Sequence, residues 1–127
     1  MEEMRFVQPL NGQSAIGPYS PGVACGGLLF VSGQVPRDAA GNIVAASIEA
    51  ATAQALRNLG AVLAAAGCSS SNVVKTTVFL RDLGDFAGMN QAYAEFFGNH
   101  RPARSTVQVA KLPADARVEI DCIAVLD

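Results

Sequence analysis

The feature that most constrains this chain is a repeated change of hydrophobic period. Between Ser47 and Gly67 the apolar residues Ile48, Leu56, Leu59, Val62, Leu63 and Ala66 recur at helical spacing. The stretches "NVVKTTVFLR" from Asn72, "RSTVQVAKL" from Arg104 and "RVEIDCIAVL" from Arg117 instead alternate with the period of two that a strand imposes. Ser47 is placed to cap the first helix and Glu49 sits at its positive end. A second helical face, Phe86, Met89, Tyr93, Phe96 and Phe97, follows the capping arrangement Asp82/Asp85 and stops at Gly98. Upstream, "GLLFVSGQVP" predicts a short strand over Leu28–Ser32, ended by Gly33 and Pro36, and "DAAGNI" a turn. The order of strands, helix, strand, helix and strands predicts an α+β fold with both helices on one face of a sheet. The last two strands, joined by "PADA", are expected to form a hairpin centred on Ala114 in which Val109 faces Glu119.

A length of 127 residues suits one domain spanning 1–127. With 50% hydrophobic and only 16% charged residues, some apolar surface is expected to be covered by self-association. The net charge is -2 and the nine Lys and Arg residues are scattered, so no footprint for a nucleic-acid backbone is expected. Cys25, Cys68 and Cys122 are odd in number and lack metal-ligand spacing, which predicts reduced thiols packed as small hydrophobes and no metal site. The acidic "MEEMRF" start and the lack of a long apolar run predict a cytoplasmic protein without a membrane segment. Phe6 to Pro36 carries no charge at all, as suits a buried loop or a subunit interface.

Three residues stand out chemically. Arg104 shares a strand face with Thr106 and Gln108, and its planar fork of donors matches a carboxylate. The residues alone leave it open between a substrate clamp and an edge arginine in a surface ion pair. Glu119 alternates with Arg117 and Asp121, and is open between a carboxylate that orders water and a solvated sheet position. Asn90 lies inside the apolar stripe of the second helix, where its amide either ties down a loop or faces a site. His100 has no partner at triad or ligand spacing and is expected to be structural.

Taken together, "AIGPYSPG", "LLFVSGQVP", "VVKTTVFLRDLGDFAGMN", "RPARSTVQVAKLP" and "VEIDCIAV" resemble the RidA family of reactive intermediate deaminases, in the same order and from Ala15 to Val125. The resemblance implies a chorismate-mutase-like fold, a homotrimer with sites in the clefts between subunits, and no cofactor. It implies hydrolysis of enamine and imine carboxylates, such as those from 2-aminoacrylate, to 2-oxo acids and ammonia. By motif, Arg104 would bind the substrate carboxylate, Glu119 would position the attacking water, and Tyr19 would line the mouth or hydrogen-bond near the carboxylate. Ser32, Gly33, Asn90 and Thr106 would shape the pocket; many deaminase-active members carry Cys where Thr106 stands. Arg101 replaces a residue that is frequently apolar and adds a positive charge. Readings of a different class are a non-catalytic module that senses small carboxylates, and a ribonuclease or chaperone-like protein.

Overall fold

The computed structural model describes residues 3–127. Six strands form one sheet: β1 (Arg5–Val7), β2 (Gly22–Cys25), β3 (Leu28–Gln34), β4 (Val73–Leu80), β5 (Ala103–Gln108) and β6 (Val118–Val125). Two helices, α1 (Ile48–Ala65) and α2 (Phe86–Phe97), pack on one of its faces. The strand order is β1-β2-β3-β6-β4-β5, with every pair antiparallel except β4 and β5. The expected α+β layering is therefore present, as a mixed sheet.

Local sequence explains the element ends. The Ser47 hydroxyl accepts a 3.0 Å hydrogen bond from the Ala50 amide at the start of α1. The Asp82 carboxylate accepts from the Gly84 amide at 2.8 Å, capping the short 3-10 turn Leu83–Asp85 that leads into α2. Asp85 departs from the expected capping role and forms an ion pair with Arg117 at 3.0 Å. Gly98, at φ 63°, ends α2.

Two strand expectations need correction. β5 and β6 do not form a hairpin: β6 lies between β3 and β4, while β5 is parallel to β4 on the far edge. Helix α2 supplies the crossover that a parallel pair requires. Central placement buries Val118, Ile120, Cys122 and Ala124 of β6 against the helices, which an edge hairpin would not achieve. Glu119 consequently faces Phe79, and Leu80 faces Gln108. Strand β3 also runs through Gly33 to Gln34 instead of stopping at Ser32. Its register with β6 shifts there, Val31 facing Cys122 and Gln34 facing Ile120, so Ser32 and Gly33 together oppose Asp121 as a β-bulge. Finally, β1 and β2 carry too few residues for a period to emerge; β2 joins β3 through Gly26 and Gly27, whose positive φ suits a two-residue hairpin loop.

The two faces of the sheet differ. On the helix side, Leu29, Leu56, Leu59, Leu63, Val78, Leu80 and Ile120 form a fully buried core. The opposite face has no helix over it and leaves Phe6, Phe30, Val107 and Val125 exposed. Among the described residues no helix is long and apolar enough to cross a membrane.

Candidate active site

Arg104 and Glu119 are placed on opposite faces of the sheet. Arg104 pairs with Thr76, which pairs with Cys122; three residues back along β6 from Cys122, an odd step, Glu119 points the other way. The expected hairpin, with Val109 facing Glu119, would also have set Arg104 and Glu119 on opposite faces; the separation holds, but it runs through β4 rather than through a hairpin.

On the helix face, Arg104 leans under α2. Its guanidinium carbon lies 4.8 Å from the centre of the Tyr93 ring and 5.6 Å from that of Phe86. One terminal nitrogen approaches the Met89 sulfur at 3.9 Å. Such stacking fixes the plane of the guanidinium through cation–π attraction while leaving the edge donors not turned to Met89 free. Among the described residues Arg104 has no carboxylate partner, so the surface ion-pair reading of this arginine is not realised in the subunit. Tyr93 is itself anchored, its hydroxyl 2.7 Å from the buried Thr76 hydroxyl. Phe86 was expected in the core but is 42% exposed, and serves as the outer half of the platform.

Arg104, Asn90 and Arg101 line one pocket of about 320 Å³, with Tyr93, Ala94 and Pro102. Asn90 is half-buried there and its amide makes no hydrogen bond among the described residues, so it does not tie down a loop. Thr106 shares the helix-side parity of Arg104, and its hydroxyl oxygen is buried without a partner. Arg101 donates to the Gly98 and His100 carbonyls at the end of α2. His100 approaches the Val73 carbonyl at 2.6 Å, a structural contact as expected.

On the open face the other residues gather around the bulge. Gly33 packs against the Glu119 side chain so closely that a Cβ at position 33 would stand 2.7 Å from the Glu119 carboxyl carbon. The missing side chain is what gives Glu119 its space. Burial, aided by the negative charge of Asp121, raises the Glu119 carboxyl above the ordinary carboxylate range. Ser32 donates from its hydroxyl to the Ser20 carbonyl at 2.6 Å and from its amide to the Pro21 carbonyl, which pins the "GPYSPG" loop to β3. Tyr19 projects from that loop, half-exposed, and borders a narrow cleft of about 50 Å³ with Gly33, Gln34 and Arg37.

Sequence reasoning missed Asn58 on α1, a buried amide that donates to the carbonyls of Val35 at 3.0 Å and Arg37 at 2.8 Å. It secures the wall of the Tyr19 cleft to the core. Its position beside Leu59 in the apolar stripe was the available signal. Sequence reasoning also missed the role of Tyr93 as a support for Arg104, because aromatic periodicity alone reads as core. Burial and Asp121 push the Cys122 thiol up to about 12, and burial raises that of Cys68, so neither presents a thiolate nucleophile near neutral pH. The described residues contain no metal-ligating cluster of His, Cys, Asp and Glu.

A fork with free donors and an acid of raised pKa are the parts needed to hold a small carboxylate and move a proton. Residues 10–126 match the family described as endoribonuclease L-PSP. A 2-iminobutanoate/2-iminopropanoate deaminase of Salmonella typhimurium is 47% identical over 118 residues, covering 91% of this chain and 92% of that protein. The protein of the same name from Homo sapiens is 41% identical over 122 residues, covering 95% and 89%. The crystal structure of Escherichia coli TdcF with bound serine superposes with a TM-score of 0.91 at 41% identity, over 97% of this chain and 99% of that one. With this match spanning nearly its whole length, the chain belongs to the endoribonuclease L-PSP family, the family of RidA.

Proposed function

We propose that this chain is a 2-iminobutanoate/2-iminopropanoate deaminase, hydrolysing enamine and imine carboxylates to 2-oxo acids and ammonia without a cofactor. The observation that carries the reading is Arg104: a guanidinium stacked on two aromatic rings, lacking an anion, at the wall of a pocket sized for a small molecule. The names of the relatives at 41% and 47% identity support the same substrate class.

Since Arg104 and Glu119 face away from each other within one subunit, the site combines Arg104, Asn90 and Thr106 of one subunit with Tyr19, Ser32, Gly33 and Glu119 of the next. A chorismate-mutase-like homotrimer supplies that pairing, and the exposed apolar face of the sheet gives it a surface to bury. Three free cysteines suit a cytoplasmic setting.

In the reaction Arg104 holds the carboxylate and so fixes the imine carbon beside the water on Glu119. The water oxygen bonds to that carbon, the C=N pair moves onto nitrogen, and Glu119 takes the released proton. Glu119 returns that proton to nitrogen, giving the neutral carbinolamine, which then collapses: the hydroxyl proton passes through Glu119 to nitrogen, the C–N bond breaks to release ammonia, and the oxygen becomes the carbonyl of the 2-oxo acid. An acid of raised pKa suits both transfers. The test adds purified protein to a dehydratase producing 2-aminoacrylate and follows pyruvate. Acceleration above buffer is expected, with Arg104→Ala losing about 2 to 5 kcal/mol of transition-state binding. No acceleration, or an undiminished rate in that variant, overturns the proposal. Saturable binding of 2-oxo acids without turnover would assign the same cleft to a carboxylate sensor.

A further inference from the structure

Arg101 does not contribute to the proposed chemistry, yet it lines the same pocket as Arg104. Within one subunit that pocket is bounded by Asn90, Tyr93, Ala94, Arg101, Pro102 and Arg104, two cations and no anion. The arrangement is unusual in a chain whose net charge is -2 and whose charged residues are few. Two guanidinium groups lining one pocket are both favoured by an anion bound there. The two are also held differently. Arg104 is fixed by the rings beneath it. Arg101 is exposed and hangs from the end of α2, one terminal nitrogen, Nη1, donating to the Gly98 and His100 carbonyls. The hydrogens of Nη2 and Nε of Arg101 make no hydrogen bond among the described residues, so they are available to a ligand. Arg81 and Arg117 pair with Asp115 and Asp85, whereas Arg101 and Arg104, like Arg5, Arg37 and Arg57, have no carboxylate partner among the described residues, and of these Arg101 and Arg104 line the same pocket.

We infer that this pocket selects substrates with a second acidic group: Arg104 takes the carboxylate next to the imine carbon and Arg101 the distal carboxylate of a 2-imino dicarboxylic acid. The inference rests on the deaminase reading for the reacting species, and Arg101 is its specificity-determining residue. A cation on a part-exposed side chain supports a preference of about tenfold, between the worth of a surface ion pair and that of a buried charge-assisted hydrogen bond. The preference weakens with added salt, because the distal pair is open to solvent.

The experiment measures binding first, with stable 2-oxo acids as probes, and turnover second. Calorimetric titration of the assembled protein with 2-oxoglutarate and with 2-oxobutanoate is expected to give about tenfold tighter binding of the dicarboxylate. In Arg101→Gln, whose amide can still donate to the Gly98 or His100 carbonyl, the ratio is expected to fall to near one. Arg101→Lys is expected to retain part of it, which separates charge at this position from a loss of folding. Equal affinity for the two acids, binding of neither, or a ratio unmoved by Arg101→Gln overturns the inference. The turnover arm compares imines released by an amino-acid oxidase from glutamate and from 2-aminobutanoate. Selective binding without hydrolysis of either imine removes the deaminase reading and leaves the carboxylate selectivity standing. Hydrolysis without selectivity does the reverse.

Discussion

On the helix-covered face of the sheet, Arg104 rests on Tyr93 and Phe86 with its donors free; on the open face, Glu119 lies over the bulge at Gly33 with its carboxyl partly stripped of water. The first group is positioned by attraction to aromatic rings, the second by the removal of a side chain that would occupy its space. A cation that must stay charged gains from a polarisable platform that leaves its edge exposed. An acid that must exchange a proton gains from burial, which brings its two protonation states closer in energy. The same sheet thus carries two groups with opposite demands on opposite faces, and the proposed site needs both.

The sharpest way to break this comparison is to separate the halves genetically. Arg104→Ala and Glu119→Gln subunits, each expected to be inactive alone, are expected to recover activity when unfolded and refolded together, since mixing in the proposed trimer would place intact Arg104 beside intact Glu119. Random mixing restores about a quarter of the wild-type sites in a ring of heterologous interfaces. Activity that stays at the level of the separate variants would mean that both groups act within one chain.

Gly33→Ala probes the open-face half. The new Cβ would meet the Glu119 carboxyl, which sits at the end of a flexible side chain and can move away. Stability is therefore expected to change by less than about 1.5 kcal/mol while kcat/KM falls by about tenfold or more, as a misplaced catalytic group predicts. A thermal melt and a rate measured on the same sample decide it; an unchanged rate would disconnect Glu119 from the chemistry.

Tyr93→Phe probes the other half more gently. The ring beneath Arg104 remains, but the hydroxyl paired with Thr76 is lost and leaves a buried Thr76 hydroxyl without its partner. The expected cost is about 1 to 2 kcal/mol in urea unfolding, with substrate KM nearly constant. A large rise in KM would show that the hydroxyl, not the ring, positions Arg104.

The smallest effect is a pH slope. Because folding raises the Glu119 pKa, the folded state holds its proton more tightly than the unfolded chain does. Stability from this group is therefore full below the ordinary glutamate value of about 4.3 and is lost as pH rises through the higher folded value. Glu119→Gln, which has no proton to lose, is expected to flatten the urea midpoint over that window. An unaltered slope would place the shift elsewhere.

Much of this design is legible in the residues. The period-two run of β4 and the capped stripe of α1 depend only on neighbours a few positions away, so Ser47, Val73–Leu80 and Gly98 fall where local rules put them. The alternation of β6 likewise separates Glu119 and Asp121 from Ile120 and Cys122. The partner of each strand is another matter. Sequence proximity favours a β5–β6 hairpin, but the apolar face of β6 is long enough to fill the centre of the sheet, and α2 carries β5 to the far side of β4. The bulge that brings Gly33 onto Glu119 is a difference of one residue between two strands, invisible in either alone.

The sequence by itself determined the chemical groups, the helix and strand periods and the motif that surrounds Arg104, because these are properties of side chains and of short-range spacing. Only the tertiary structure decided that Arg104 would lean on Tyr93 and Phe86, that Arg101 would share its pocket, and that Glu119 would face the other way. Those relations arise from strand order and register, which are selected by the burial of the whole apolar face rather than by any one segment.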